Sequence, residues 1–309
     1  ESVECGIQVP RHYAAAIYLS GVGMILITGA TGRTGNRAAT ELAKRGIPVR
    51  ALVRNPAKAE GLIAAGVQIA TGDASDADSV RAALVGVTKM AIILPNGEQQ
   101  LSLEKKLVDL GVEAGVSHLI KLSSMEALPT AHNATHKMHW ASEEHIRASG
   151  KAWTMVRPSF YLQNFLSNAY TIKTEGKFYY PFGDKGAAVM TDSRDAGYFV
   201  AHCLATNGHE GKSYDITSRD RLSFHEVAAV FSQVLGRKID YVPQDPAAYK
   251  AFLGKFLSSQ WHLDAVCDIF AEIAAGYVVD VTDTFEKVTG RAPTGLAEFI
   301  NEHRAVFTP

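Results

Sequence analysis

Cysteine is scarce in this chain: Cys5, Cys203 and Cys267 stand far apart, with no CxxC pair and no even-numbered set. Such usage excludes a disulfide framework and a zinc knuckle, and points to a reducing cytoplasm. An excess of one charge is also missing. With 31 Lys and Arg against 32 Asp and Glu and no long basic run, the chain lacks the clustered cations that grip nucleic acid or anionic lipid. No apolar run can span a bilayer, since Tyr13 to Ser20 is too short and lacks the cleavage pattern of a secretory signal. Ser/Gly/Pro-rich linkers, repeats and low-complexity tracts are absent too, so the parts of the chain are expected to pack closely. What remains is an ordinary globular composition, 309 residues with 47% hydrophobic and 20% charged, enough for a large core in one large or two modest domains. The expected partner is a small molecule rather than nucleic acid or membrane, with a homodimer left open.

Residues 1–23 are read as an extension of unknown role, and Met24 as a candidate native start, because the first strand begins there. From Met24 short apolar β-rich runs alternate with longer amphipathic stretches, the pattern of βαβ units on a mostly parallel sheet. Strands are predicted at 24–28, 48–53, 67–70, 89–94, 117–122 and 153–157, and helices at 33–46, 56–65, 76–84, 98–115 and 136–149. Leu101, Leu107, Val108, Val112 and Val116 would face the sheet. After Arg157-Pro158 the alternation weakens and aromatic residues multiply, as expected of a substrate region. There, strands near 187–190, 213–216 and 239–242 and helices at Phe224 to Leu235 and Leu296 to Val306 are expected. The reading is therefore α/β: a doubly wound Rossmann sheet over 24–158 and a smaller, closely packed α/β substrate region over 159–309 that partly returns to it.

The run Met24-Ile-Leu-Ile-Thr-Gly-Ala-Thr-Gly-Arg-Thr-Gly35 sets a buried strand, a G-x-x-G-x-x-G turn and a helix start in succession. Gly29, Gly32 and Gly35 let the backbone turn tightly and approach a pyrophosphate, while amides of the helix start, around Thr31 and Thr34, point at its charge. At the end of the second strand an acid would bond the ribose hydroxyls and a base would accept a 2′-phosphate; Arg54 stands there, with Arg33 and Lys58 close by in sequence. NADP(H) is favoured over NAD(H) on that ground. Leu94 and Pro95 would form an apolar wall where the fourth strand ends, at the carboxyl edge of the sheet.

The glycine turn, with Val53-Arg54-Asn55-Pro56 and Gly72-Asp73, resembles the atypical short-chain dehydrogenase/reductase family. The branch it resembles is NmrA-like, which includes triphenylmethane reductases and an NADPH-dependent quinone oxidoreductase type. The resemblance covers Met24 to about Val306 and implies that Asp73 contacts the adenine amino group. It also implies that Val156-Arg157-Pro158-Ser159-Phe160-Tyr161-Leu162-Gln163-Asn164-Phe165 passes beside the nicotinamide, with Ser123 and Pro158 on the cofactor. The wider family works with a serine, a tyrosine and a lysine, the last two as Y-x-x-x-K, and this chain departs from it. Aligning Glu143 with the acid that usually follows places Thr135 at the tyrosine, His139 at the lysine and Met125 at the serine.

Without that pair, alcohol dehydrogenation and sugar epimerisation lose their proton shuttle, whereas hydride donation to a conjugated acceptor needs less. His139 is the candidate acid or nicotinamide-side contact, with a plain bond to Glu143 as the alternative. Met125, Phe160, Tyr161, Asn164 and Phe165 are the candidate substrate residues, the aromatics to stack on a flat acceptor and Asn164 to bond a carbonyl. His132, His136 and His139 share helical spacing, but no H-E-x-x-H order supports a metal, and none is expected. Arg194-Asp195 reads as a structural pair at a helix start. The expected activity is NADPH-dependent reduction of a quinone-like or other conjugated small molecule. The alternatives are an NADP(H)-binding redox regulator without turnover and a biosynthetic reductase or isomerase.

Overall fold

A computed structural model describes residues 23–277 and 279–309; the rest of the segment read as an extension, Cys5 included, lies outside the described residues. The first half alternates strictly: β1 (Met24–Ile27), α1 (Arg33–Lys44), β2 (Val49–Val53), a 3₁₀ turn (Pro56–Ala59) running into α2 (Glu60–Ala64), and β3 (Gln68–Thr71). It continues with α3 (Ala77–Leu84), β4 (Val87–Ile92), α4 (Gln100–Glu113), β5 (His118–Leu122), α5 (Ala134–Ala148) and β6 (Ala152–Pro158). The second half runs β7 (Phe160–Tyr161), a 3₁₀ helix (Leu162–Asn168), α6 (Ala169–Glu175), β8 (Lys177–Tyr180), β9 (Ala187–Thr191), α7 (Ser193–Ala205), β10 (Lys212–Ile216) and β11 (Arg221–Ser223). Then come α8 (Phe224–Leu235), β12 (Asp240–Pro243), α9 (Pro246–Leu253), α10 (Gln260–Ala274), α11 (Thr284–Thr289), α12 (Leu296–Glu302) and α13 (Arg304–Phe307). Among the described residues no helix is long and apolar enough to cross a membrane.

Strands order as β10-β6-β5-β4-β1-β2-β3 in one seven-stranded sheet, every pairing parallel. The order reverses between β1 and β4, and in such sheets a ligand crevice opens at the carboxyl ends beside that switch point. Strand β10 and helix α7 bring the second half back to this sheet, and Ala196, Phe199 and Val200 of α7 join the core of α1 and β1. A three-stranded sheet, β11-β9-β7, and the pair β12-β8 carry the rest. Their core is aromatic, with Phe182 and Phe224 ring centres 4.4 Å apart and Tyr180 stacked on Phe182 at 4.8 Å.

Helix α4 departs from its expected stripe. Leu107 and Val108 are buried, as is Val116 just beyond the helix, but Leu101 and Val112 are half-buried, and Gln100 and Glu104 take the innermost face. The reason lies across the sheet, where Lys121 of β5 is fully buried and its Nζ sits 2.6 Å from Glu104 Oε2. A lone buried charge costs several kcal/mol, so each residue needs the other at that depth. Strand β4 begins and ends two residues earlier than expected, which leaves Leu94 and Pro95 in the loop that follows it.

His118, at the start of β5, is buried and hydrogen-bonded through Nε2 to Thr154 Oγ1 at 2.8 Å. Burial, reinforced by the charge of Lys89, pushes its pKa down to about 4. The unfolded chain then takes up this proton first as pH falls, so stability is full above about 6.5 and declines toward about 4. The drop attributable to this histidine is about 3 kcal/mol. Urea unfolding across that range should show it, and His118→Gln, which keeps a donor for Thr154, should remove it; an unchanged acid profile in the variant contradicts the assignment.

Candidate functional site

The glycine turn is built by steric necessity. Gly29 has φ +62°, and a Cβ there would lie 2.1 Å from the Ile93 carbonyl oxygen; one at Gly35 would lie 2.4 Å from the Gly29 oxygen. Thr28 fastens the same junction: its amide donates to Ala91 O at 3.1 Å and its Oγ1 accepts from the Ile93 amide at 2.9 Å. Helix α1 then starts with no side-chain cap on Gly32 and no acidic residue in its first turn. Its leading amides and the positive end of its dipole are left for an anion.

A cleft of about 890 Å³ opens over this turn. Gly29, Thr31, Gly32, Arg33, Thr34, Gly35, Arg54, Lys58, Asp73, Leu94 and Pro95 all line it. Arg33, Arg54 and Lys58 are exposed cations at one end. Arg54 Nε is 3.9 Å from Asp73 Oδ2, a loose and largely solvated pair. Asp73 accepts from the Ser75 amide and hydroxyl, which hold its carboxyl below its ordinary range. The helix that follows, α3, is capped by Asp76, so Asp73 has no part in that cap.

A second cavity of about 490 Å³ adjoins the first, and Leu94, Pro95, Asn96, Leu122, Tyr161 and Asn164 line both. Ser123 and Pro158, expected on the cofactor, line this second cavity rather than the cleft. Phe160, Tyr161 and Asn164 are in its wall as expected of substrate residues. Met125 and Phe165 are not. Met125 is 6% exposed and tied by its amide to Pro158 O, and Phe165 is fully buried in the centre of the aromatic core, where ring packing outweighs exposure to a ligand.

His139 lines the second cavity from α5. Its Nε2 lies 3.2 Å from Asn96 Oδ1, which fixes the proton on Nε2 and leaves Nδ1 buried without a partner. Burial, then the charge of Lys121 and the neighbouring His136, holds the imidazole well below its ordinary pKa. It is neutral near pH 7 and suited to hydrogen bonding rather than to carrying an exchangeable second proton. The alternative bond to Glu143 does not form, because Glu143 is taken by Arg157 and Arg147. His136 shares the buried face of α5, while His132 precedes the helix; among the described residues no group of three or more His, Cys, Asp or Glu side chains is placed to hold a metal ion.

Several lining residues carry no assignment from the sequence. Gln163 donates to Asp192 Oδ1 at 2.8 Å and accepts from the Ser193 amide at 2.9 Å, joining the cleft to the start of α7. Gln100 Oε1 and Ser193 Oγ line the cleft buried and without partners. Glu126, Glu272 and Tyr277 line the second cavity, the last two brought by α10 and its C-terminal end. The one available signal was a polar residue on an apolar stripe, which Gln100 shows; nothing in the sequence ties Glu272 to Glu126. Arg194 pairs with Asp192 at 2.7 Å and with Glu302 at 2.6 Å rather than with Asp195, which accepts from the Thr294 amide.

Comparison with known proteins agrees with this geometry. The NAD(P)H azoreductase of Xenophilus azovorans is 34% identical over 284 residues, 92% of this chain and 99% of that protein. The NADPH-dependent quinone oxidoreductase of Escherichia coli, solved with NADPH, superimposes with a TM-score of 0.82 at 27% identity, over 91% of this chain and all of that one. The triphenylmethane reductase of Citrobacter sp., solved with NADP(H), gives 0.80 at 26% identity, over 90% and 99%. The NmrA-like family matches residues 22–300, and on this match and that identity the chain belongs to the NmrA-like family.

Proposed function

We propose that this protein is an NADPH-dependent reductase that delivers hydride to a quinone-like or other conjugated small molecule. One observation carries the reading: a phosphate-cradling cleft with cations at one end opens, at the other, into a separate cavity walled by Phe160, Tyr180, Tyr249, Phe270 and Tyr277. The relatives named azoreductase and quinone oxidoreductase support the same chemistry, and hydride donation to an electron-poor acceptor does not require the strong proton shuttle of the Tyr-Lys pair that this chain lacks. That support favours this reading over a regulator without turnover and over a biosynthetic reductase or isomerase.

The residues present fit a dinucleotide. At Gly35 any side chain would close the cradle, and Gln100 Oε1 and Ser193 Oγ are buried polar atoms that wait for partners in the cleft. Gly29, Gly32 and Gly35, with the α1 amides near Thr31 and Thr34, hold the pyrophosphate; Arg33, Arg54 and Lys58 hold the 2′-phosphate; Asp73 takes the adenine amino group. Leu94 and Pro95 wall the nicotinamide end, and the Asn96–His139 pair orients the groups around it. When bound, the cofactor supplies the hydride. Phe160, Tyr161 and Asn164 position the acceptor, and the aromatic wall excludes water from it. A reducing cytoplasm suits this chemistry and the free thiols of Cys203 and Cys267.

Mixing the protein with NADPH and para-quinones or azo compounds should consume the reduced-nicotinamide absorbance; no turnover with any conjugated acceptor contradicts the reading. Gly35→Ala should weaken NADPH at least about tenfold, because the added methyl meets backbone that cannot recede. In Arg54→Ala, titration should show NADPH weakened roughly ten- to hundredfold and NADH nearly unchanged, as expected for loss of a charge-assisted contact to phosphate. Equal losses for both cofactors would remove Arg54 from the phosphate site.

A further inference from the structure

The second cavity holds an acid that no sequence motif marked. Glu126 lines it, just beyond the end of β5, and Ser124, also in the wall, donates through Oγ to Glu126 Oε2. Around that carboxyl, the cavity's other polar groups are disposed so that none can neutralise it with a full charge. His136 Nε2 is 3.9 Å away, Glu272 of α10 and Tyr277 just after that helix share the cavity wall, and Asp215 of β10, outside the wall, lies near enough to interact. Among the described residues no Lys or Arg lines the cavity. His136 is itself engaged elsewhere, with Asn133 at 2.6 Å and Glu272 at 3.4 Å, and burial lowers its pKa. Two further atoms in the same wall, Ser123 Oγ and His139 Nδ1, belong to residues only 6% exposed and have no hydrogen-bond partner. Buried polar atoms left without partners on residues of one cavity wall mark a place built for a polar ligand.

We propose that Glu126 is the proton donor to the acceptor, giving up a proton held on Oε1 while Oε2 stays bonded to Ser124. The assignment rests on the reductase reading above and adds to it the second half of the reduction. Turning a para-quinone into a hydroquinone adds one hydride, which brings both electrons and leaves an oxidised nicotinamide, and one proton. The O–H bond of Glu126 breaks, an O–H bond forms on the reduced acceptor, and the Glu126 carboxylate recovers its proton from solvent. Burial pushes the Glu126 carboxyl above its ordinary range, against the Ser124 bond that pulls it down, so the acid form persists to higher pH than on an exposed glutamate. His139, neutral and committed to Asn96, leaves that task to the carboxyl.

The test uses two acceptors that differ in their need for a proton. A para-quinone takes hydride and proton, whereas a triarylmethyl cation takes hydride at carbon and needs no proton. In single turnovers with NADPH, Glu126→Gln should slow the quinone about a hundredfold, within the range of general-acid catalysis, and leave the cation's rate within about twofold. The unaffected cation also shows that the variant folds and binds cofactor. In the wild type the quinone rate should fall as pH rises through the Glu126 transition while the cation rate stays level, and infrared spectra of the free protein should show a protonated carboxyl band that Glu126→Gln removes. Equal slowing of both acceptors, or of neither, overturns the proton assignment. A wild type that reduces neither acceptor overturns the reductase reading instead. Should Glu126→Gln not fold, Glu126→Asp carries the same comparison, with the quinone slowed and the cation spared.

Discussion

The contact between the end of β1 and the end of β4 is the constraint on which the site depends. Gly29 approaches the Ile93 carbonyl so closely that no Cβ fits, and Thr28 Oγ1 accepts from the Ile93 amide at 2.9 Å. This junction sets the glycine turn and the Leu94-Pro95-Asn96 segment against one another at the sheet's switch point. Everything functional is then measured from it: the α1 amides on one side, the wall shared by both cavities on the other. A side chain at Gly29 would meet a backbone oxygen, and it would also have to adopt a left-handed conformation.

Charge is divided between the two cavities in a way that suits their contents. Exposed Arg33, Arg54 and Lys58 stand at the far end of the cleft, where an anionic group would sit, and solvent limits the cost of leaving them unpaired. The second cavity has carboxyls and neutral imidazoles in its wall and, among the described residues, no Lys or Arg. Between them, the fully buried Lys121–Glu104 pair lies beneath the sheet's edge. It works in two directions: Glu104 accepts from Gln100 Nε2 at 3.1 Å and so braces a cleft residue, while the Lys121 charge helps keep His139 neutral. A buried ion pair contributes little net stability, so its value here lies in holding these neighbours in one arrangement.

The Rossmann half was legible from the sequence because its central strands β1, β2 and β5 are buried along nearly their whole length and read as continuous apolar-rich runs between amphipathic helices, so period and turn residues agree. The residues proposed for the cofactor line one cleft for a related reason: Gly29, Gly32 and Gly35 follow β1, Arg54 follows β2 and Asp73 follows β3, and the order of those strands follows from the alternation. The second half was harder to read. Its 3₁₀ helix over Leu162–Asn168, α6, α9 and α10 were not expected, and α10 shows why. Val266, Ile269, Phe270 and Ile273 have helical spacing, yet they face a cavity rather than a filled core, and only Leu263 and Ala265 of that helix are fully buried. The aromatic run after Pro158 could not be divided by pattern into core and wall. Phe160 and Phe165 look alike in sequence, but a five-residue offset across a strand and a 3₁₀ turn sends the first to the cavity and the second into the core. Glu126 and Glu272 met only through the fold.

The central claim is that hydride passes directly from the cleft into the second cavity. Its most direct measurement is transfer of deuterium from NADPH labelled on one face of the nicotinamide to a triarylmethyl cation, whose reduced product keeps the label in a carbon–deuterium bond. We predict label in the product from one face only, with a primary isotope effect in single turnovers. Tight NADPH binding with the label left on the nicotinamide, or lost to water, would contradict direct transfer.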